Sequence, residues 1–239
     1  MSALLRSSLF ALYQAIITFV FAIIALLCFP LPARARYHII TTWSRLMVAG
    51  AEKICGIRYR VLGAENVPQP PFIVLSKHQS AWETLAFQII FPPQVWVVKR
   101  ELLRIPFFGW GLALLSPIAI DRGAGSRALN QLLEQGRERL ARRYCIVIFP
   151  EGTRVAPGRR RKYQAGGAWL AVKTGARVLP VAHNAGELWP KDAFIKRAGL
   201  VTISIGAPID ARQFTPDALN GKVEDWIENE VRRISKHSA

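Results

Sequence analysis

The chain has 239 residues, of which 51% are hydrophobic and 20% are charged, and its formal net charge at neutral pH is +16. This composition excludes a disordered protein, which would be less apolar, and a polytopic membrane bundle, which would carry fewer charges. One sizeable folded domain with an appendage is therefore expected. The excess of lysine and arginine favours an anionic partner, and composition alone does not decide between nucleic acid, anionic lipid and an acidic carrier protein.

The three cysteines are widely spaced and form no CxxC pair. This pattern argues against a disulfide framework and a zinc knuckle, and it fits a reducing compartment. Cys145 lies in the apolar run 144–149, which predicts a buried strand. We therefore expect its thiol to belong to the core and not to act as a nucleophile.

The N-terminal segment Leu9 to Phe29 carries no charged residue and is long enough to cover most of the hydrocarbon thickness of a bilayer. It is longer than a typical signal-peptide core, and only a weak cleavage site follows at residues 33–35, so a retained anchor is favoured. Arginines flank both ends, so the positive-inside rule gives no orientation. Such flanks also suit a segment that enters one leaflet and returns.

The next stretch, Tyr37 to Ile57, has apolar residues at helical spacing, interrupted by charged ones. This pattern predicts an amphipathic helix, either lying in the membrane interface or packed on the globular domain. The two alternatives are equally supported by the sequence. We expect residues 1–56 to form a membrane-anchoring helical segment and residues 57–239 to form an α/β domain.

From Ile57 onward, strand-like and helix-like runs alternate, which predicts an α/β sheet sandwiched by helices. Helices are predicted from an N-cap at Ser126, over Gly166 to Thr174, and from about Asp217 to Ile234. The apolar run 102–120 contains prolines and glycines, which make it a poor spanning helix, so it predicts core, a pocket lining for a fatty chain or a segment inserted into a membrane face. The predicted strands are Arg58–Leu62, Phe72–Ser76, Val95–Lys99, Pro117–Asp121, Tyr144–Phe149, Val178–Val181 and Leu200–Ile205.

A histidine and an acid follow the predicted strand Phe72–Ser76. If a helix starts at Ser80, the carboxylate of Glu83 can fold back to one imidazole nitrogen of His78 and leave the other free to take a proton. The alternative is that Glu83 only caps the helix, because Ser80 and Glu83 also form a capping box. The residues alone favour the cap.

Three further strand ends carry polar or basic residues. Phe149 to Arg154 (FPEGTR) combines a glycine turn, a hydroxyl and an arginine, a combination suited to a phosphate, although a solvated basic loop is the alternative. Lys99 and Arg122 follow two other predicted strands, and ligands bind at such ends in α/β folds. The chain has no GxSxG elbow, Walker loop, GxGxxG or HExxH motif.

Four blocks in this order are typical of one family. They are His78-x4-Glu83, Ile118 to Arg122 with Lys99 upstream, Phe149 to Arg154, and Val178 to Val181. On these blocks the chain resembles the bacterial 1-acyl-sn-glycerol-3-phosphate acyltransferases of the wider glycerolipid acyltransferase family. The resemblance implies a mixed sheet flanked by helices with an N-terminal two-helix membrane-binding motif. Two positions depart from the usual pattern: Lys77 replaces an asparagine, and Glu83 replaces an aspartate.

The resemblance also implies a reaction: acyl transfer from a thioester to the sn-2 hydroxyl of 1-acyl-sn-glycerol-3-phosphate, giving phosphatidic acid. His78 would be the general base and Glu83 its orienting acid, with backbone N–H groups near Gly152 as oxyanion donors. The implied phosphate-binding residues are Lys99, Arg122, Glu151, Gly152, Thr153 and Arg154, with Glu151 positioning the arginines or the glycerol.

No metal or cofactor is implied; acyl-coenzyme A or acyl carrier protein would supply the acyl group. The implied location is the inner membrane with the site facing the cytoplasm, and the implied partners are membrane lipid and not nucleic acid. Two alternatives remain: acylation of another lysolipid, such as lyso-ornithine lipid, or a non-catalytic protein that binds anionic lipid. A lipid hydrolase is disfavoured because no serine lies in an elbow.

Overall fold

The computed structural model describes residues 1–105 and 108–235, without the side chains of Phe108 and Arg122. The chain begins with two antiparallel helices, α1 (Ala3–Leu27) and α2 (Ala33–Gly50), and α2 continues into a π-helical turn at Ala51–Cys55. Tyr13 Oη donates to the carbonyl of Leu46 at 2.9 Å and joins the pair. Gly50 permits this close approach, because a Cβ there would lie 2.4 Å from the Tyr13 ring.

An eight-stranded sheet forms the centre of the rest of the chain. Its strands are β1 (Ile57–Leu62), β2 (Ile73–Ser76), β3 (Gln94–Lys99), β4 (Ile118–Ile120), β5 (Cys145–Ile148), β6 (Arg177–His183), β7 (Gly199–Ile205) and β8 (Ile209–Asp210). The spatial order is β1-β7-β6-β2-β5-β3-β4, with β8 on β6. Pairings from β6 through β4 are parallel and the β6–β7 pairing is antiparallel, so the sheet is mixed, as expected.

Helices cover both faces of the sheet. They are α3 (Trp82–Ile90), α4 (Phe108–Ala113), α5 (Ser126–Ala141), α6 (Gly166–Thr174) and α7 (Pro216–Ile234). Alternate residues of β2 point to opposite faces, since Val74 packs in a cluster with α1, α2 and α3 while Leu75 packs in a cluster with α5, α6 and α7. This burial on both sides explains why the central strands read as continuous apolar runs.

All seven predicted strands are present, with ends within two residues of the predicted ones. The short strand β8 has no equivalent among them, because two residues are too few to show a period. Ser126 is the first residue of α5 and not its N-cap, which is Gly125 at φ 53°. For α2, the alternative in which the helix packs on the globular domain holds for one face, since Met47 and Val48 are buried in the core.

Candidate active site

Five neighbouring parallel strands end at one edge of the sheet, in the spatial order β6, β2, β5, β3, β4. His183 ends β6, His78 follows β2, Phe149 follows β5 and Lys99 ends β3. Adjacent strands lie about 4.8 Å apart, so Lys99 begins roughly 10 Å along the edge from β2. Arg122 follows β4, a further strand away, and its side chain lies outside the described part of the structure.

The short connection between β2 and α3 brings His78 and Glu83 together. Nδ1 of His78 lies 2.8 Å from Oε1 of Glu83. The helix begins at Trp82, two residues later than predicted, and the turn before it is held by Ser80, whose hydroxyl accepts from Trp82 N–H at 3.1 Å and donates to the carbonyl of Trp189 at 2.6 Å. The contact between imidazole and carboxylate, which the sequence left open as an alternative to the cap, is therefore present.

The same carboxylate oxygen also accepts backbone N–H groups from Gln79 at 3.0 Å and Ser80 at 2.9 Å. Glu83 therefore both caps the start of α3 and contacts His78, so the two roles are not alternatives. An ionised carboxylate only accepts hydrogen bonds, so Nδ1 of His78 carries the proton and Nε2 presents its lone pair. No described residue hydrogen-bonds Nε2, and the His78 side chain is 17% exposed.

Glu83 itself is fully buried. Burial would raise the pKa of its carboxyl, but the neighbouring imidazoles of His183 and His78 and the N–H group of Ser80 outweigh this effect, and the pKa lies below its ordinary value. Its second oxygen, Oε2, has no hydrogen-bond partner among the described residues. Glu83 is therefore held ionised, with one oxygen making all its hydrogen bonds.

Aromatic rings fix the plane of the His78 imidazole. Phe149 stacks on it with ring centroids 3.9 Å apart and an interplanar angle of 11°. Trp96 in turn stacks on Phe149 with ring centroids 5.6 Å apart, so the imidazole belongs to a column of stacked rings. The column leaves His78 little freedom to rotate and places apolar surface beside the reactive nitrogen.

Backbone hydrogen bonds hold residues 77 and 78 from several sides. The N–H of His78 donates to Oε2 of Glu151 at 2.8 Å, and the carbonyl of His78 accepts from the N–H of Val155, also at 2.8 Å. His183, which is fully buried, donates from Nε2 to the carbonyl of Lys77 at 2.9 Å. Burial lowers the pKa of His183, although the nearby carboxylate of Glu83 opposes the shift.

The side chain of Lys77 points into the protein and makes ion pairs there. It is 1% exposed, and Nζ lies 2.7 Å from Oε1 of Glu151 and 2.7 Å from Oε1 of Glu228 on α7. Tyr163 Oη also donates to Oε1 of Glu228, at 3.0 Å. Burial and the adjacent carboxylates raise the pKa of Tyr163, so it remains a hydrogen-bond donor.

The FPEGTR turn faces both the interior and the surface. Gly152 adopts φ 71° and donates its N–H to the carbonyl of Phe149 at 3.0 Å. Arg154 lies near the surface, where Nη2 is 3.2 Å from Oδ1 of Asp192. Glu151 is 1% exposed, and burial raises the pKa of its carboxyl although Lys77 opposes the shift. Its carboxylate therefore points into the protein and not toward a surface phosphate.

Comparisons with known proteins agree with this geometry. Residues 58–184 match the family model described as Acyltransferase, which includes the four sequence blocks. A 1-acyl-sn-glycerol-3-phosphate acyltransferase of Pseudomonas aeruginosa is 44% identical over 236 residues, covering 97% of this chain and 92% of the relative. The chain belongs to the acyltransferase family. A human 1-acyl-sn-glycerol-3-phosphate acyltransferase alpha is 29% identical, covering 80% of the chain and 70% of the relative.

The fold of this acyltransferase is also similar to a solved structure. The crystal structure of the 1-acyl-sn-glycerophosphate (LPA) acyltransferase PlsC from Thermotoga maritima superposes with a TM-score of 0.80 at 25% identity. The similarity covers 99% of each chain. The match therefore includes the two N-terminal helices of this acyltransferase as well as its sheet.

Several residues of this acyltransferase site were missed in the sequence. The sequence places Phe149 at the end of a predicted strand, and it gives no sign that His183 approaches His78. Glu228 and Tyr163 approach Lys77 from parts of the chain 151 and 86 residues away. Their positions in the sequence carry no signal of this proximity, because it depends on how α6 and α7 pack under the sheet.

Proposed function

We propose that this acyltransferase moves a fatty acyl group from a thioester to the sn-2 hydroxyl of 1-acyl-sn-glycerol-3-phosphate, giving phosphatidic acid. The observation that carries the proposal is the His78–Glu83 pair at 2.8 Å, whose open nitrogen lies on the same sheet edge as Lys99 and Arg154. The acceptor is taken from the bacterial and human relatives, both of which are 1-acyl-sn-glycerol-3-phosphate acyltransferases.

The reaction needs one proton carrier. Nε2 of His78 removes the proton from the hydroxyl as its oxygen forms a bond to the thioester carbonyl carbon. The imidazolium that results is stabilised by the ionised Glu83. The C–S bond then breaks, and the proton passes from Nε2 to the departing thiolate. His78 ends in its starting form, and no acyl-enzyme or metal ion is required.

The acceptor phosphate would bind along the edge beyond His78. Lys99, Arg122, Thr153 and Arg154 supply cations and a hydroxyl, with Gly152 providing the turn between them. Binding the phosphate there fixes the distance of the sn-2 hydroxyl from Nε2, which accelerates attack by orientation. We revise the role of Glu151: its buried carboxylate positions the His78 backbone and does not contact the phosphate.

The oxyanion donors can be narrowed among the backbone N–H groups near Gly152. The N–H of Gly152 already donates to Phe149, so it is not available to the tetrahedral intermediate. The backbone N–H groups of Thr153 and Arg154 have no hydrogen-bond partner among the described residues. They lie just before Val155, which binds the His78 carbonyl, so we propose them as the oxyanion donors.

The donor would be acyl-coenzyme A or acyl carrier protein, since a net charge of +16 attracts either polyanion. We propose residues 1–56 as the membrane anchor of an inner-membrane enzyme facing the cytoplasm. Within the described residues, α1 is the one helix long and apolar enough to cross a bilayer, by length and composition alone. Its large side chains are exposed; Leu12, Phe19 and Leu27 are 60%, 69% and 73% accessible.

Two further groups of exposed apolar residues lie beside α1. Phe194 is 51% exposed and is two residues from Lys196, whose N–H donates to Ser7 Oγ at 2.9 Å. Trp110 is 47% exposed and adjoins Gly111, where a Cβ would lie 3.8 Å from Ala25. Apolar neighbours at both ends support an α1 that lies along the membrane surface. In flotation with anionic vesicles, Phe19→Asp and Phe194→Asp should each weaken binding.

Acyl transfer by the purified protein tests the reaction. Labelled 1-acyl-sn-glycerol-3-phosphate is offered with acyl-coenzyme A or acyl carrier protein, and His78→Ala is compared with His38→Ala, an exposed histidine on α2. Phosphatidic acid should form with the wild type and His38→Ala and not with His78→Ala. Arg154→Ala should mainly raise KM for the acceptor. Wild-type activity in His78→Ala would exclude the proposed base.

The acceptor is tested separately. Lysolipids with phosphate, phosphocholine and ornithine headgroups are compared at equal concentration in the same detergent. The proposal requires the highest kcat/KM for the phosphate monoester. If only another headgroup gives product, the proposed acceptor is wrong, but the assignment of His78 as the base is unaffected. If no headgroup gives product, the protein binds lipid without this activity.

A further inference from the structure

We propose that Glu228 on α7 is a positioning residue for catalysis and acts on His78 through Lys77 and Glu151. The inference rests on the proposed function for its kinetic test, and the contacts that carry it are independent of that function. Glu228 lies 150 residues after His78 in the chain and touches neither its imidazole nor the open edge where substrates would bind.

A continuous set of short contacts joins the two residues. Nζ of Lys77 is 2.7 Å from Oε1 of Glu228 and 2.7 Å from Oε1 of Glu151. The other oxygen of Glu151 accepts the N–H of His78 at 2.8 Å. Each step is at hydrogen-bonding distance, so a change at Glu228 is transmitted to the backbone of the proposed base.

The three side chains that make these contacts are buried and charged, so the charge state of each depends on the other two. Side chains of Lys77, Glu151 and Glu228 are 1%, 0% and 7% exposed. Two carboxylates share the Lys77 cation. Arg160 supplies a second cation, with Nε 3.5 Å from Oε2 of Glu228. Tyr163 donates to the Oε1 atom that Lys77 also contacts. Removing one partner of such a buried group leaves the others with unbalanced charge.

The contacts also explain the departure from the usual family pattern at position 77. A neutral asparagine is shorter than lysine and carries no charge for two carboxylates. In this chain the lysine reaches down to α7 while its carbonyl is held by His183 and its N–H by the carbonyl of Val181. Lys77 and Glu228 are therefore a matched pair, and each should tolerate loss of charge better when the other is neutral too.

This matching predicts a specific pattern of rates. Lys77→Met removes the cation between Glu151 and Glu228, and kcat should fall by about 100-fold or more, as for a broken buried ion pair. Glu228→Gln keeps the shape and one acceptor oxygen, and kcat should fall by roughly 10-fold. The double variant should recover at least about 10-fold relative to Lys77→Met, since the repulsion between the two carboxylates left without a shared cation is then removed. The acceptor KM should stay near the wild-type value, because the phosphate ligands are unchanged.

The matched control is Glu224→Gln, one turn earlier on α7 and 3.9 Å from Arg160. Its kcat should equal that of the wild type. Thermal midpoints are measured for every variant; should Lys77→Met fail to fold, Glu228→Gln against Glu224→Gln remains the test. Equal kcat in Glu228→Gln and wild type, or strictly additive losses in the double variant, would overturn the proposal.

A spectroscopic measurement separates this inference from the proposed function. In protein labelled with ¹⁵N-histidine, the His78 signals are assigned by their absence in His78→Ala. The proposal predicts that Glu228→Gln shifts the backbone and Nδ1 signals of His78 and that Glu224→Gln leaves them unchanged. This test stands even if no acyl transfer is detected. Unshifted His78 signals in Glu228→Gln would refute the link in an active or an inactive protein.

Discussion

Replacing Glu83 with glutamine tests the charge of the His78–Glu83 pair while preserving its shape. A glutamine oxygen in the Oε1 position can still accept from Nδ1 of His78 and from the N–H groups of Gln79 and Ser80. The tautomer of His78 and the start of α3 should therefore be kept. What is lost is the negative charge that stabilises the imidazolium once the hydroxyl proton has been transferred.

The lost stabilisation of the imidazolium is estimated from the separation of the two charge centres, which is larger than the 2.8 Å between Nδ1 and Oε1. Opposite charges about 4 Å apart attract by roughly 4 kcal/mol at an effective dielectric constant of about 20. The neutral hydrogen bond that remains returns about 1 kcal/mol. A net loss of about 3 kcal/mol in the transition state corresponds to a fall in kcat of roughly 150-fold. The acceptor KM should change little, since no proposed phosphate ligand is altered.

The assay is steady-state acyl transfer to 1-acyl-sn-glycerol-3-phosphate, with Glu65→Gln as an exposed control. A kcat for Glu83→Gln within threefold of the wild type would refute the assignment of Glu83 as a charged partner. The variant also places an amide N–H₂ where Oε2 has no described hydrogen-bond partner. That should destabilise the fold by about 1 kcal/mol and lower the melting midpoint by roughly 2–4 °C.

The same variant should alter the pH dependence of stability. The pKa of Glu83 in the folded protein lies below its ordinary value of 4.5. Its ionised form therefore stabilises the fold at pH values above 4.5, and this contribution is lost as pH falls through the lowered pKa. Glu83→Gln should remove that part of the acid sensitivity. An identical acid-unfolding profile would contradict the proposed charge state.

Two further predictions concern packing and substrate binding. Gly167→Ala should lower the melting midpoint, because its Cβ would lie 2.6 Å from Leu75 and overpacking typically costs about 1–3 kcal/mol. Gly221→Ala, with open space around it on α7, should raise the midpoint slightly. Asp192→Asn should lower the acceptor KM without changing kcat, because the Asp192 carboxylate lies 3.2 Å from Arg154 and competes with a phosphate for it. An unchanged or higher KM in the same assay would show that Arg154 does not bind the phosphate.

The fold was largely predictable from the sequence because burial leaves a direct record in it. Strands covered on both faces appear as short apolar runs, and all seven predicted ones exist. The contact between His78 and Glu83 was one of two alternatives that the sequence left open, since five residues across a strand-to-helix turn bring the side chains within reach of each other. Both inferences use local patterns, which the sequence contains in full.

The surroundings of His78 were not predictable in the same way. The direction of the Lys77 side chain depends on carboxylates from β5 and α7, and the stacking of Phe149 on His78 depends on the pairing of β5 with β2. The use of the Gly152 N–H inside its own turn is a further tertiary detail. Such contacts are set by sheet order and helix packing, for which spacing along the chain is no guide.

The insertion of β5 between β2 and β3 has a consequence for biosynthesis. The segment from Phe149 to Val155 stacks on His78, accepts its N–H and donates to its carbonyl, so the histidine is unsupported until this segment is in place. A nascent chain emerging from the ribosome up to residue 140 would contain His78 and Glu83 without this support. Glu228 follows still later in synthesis, so acyl-transfer competence should arise only when the C-terminal helix has docked, after the N-terminal helices have had time to reach the membrane.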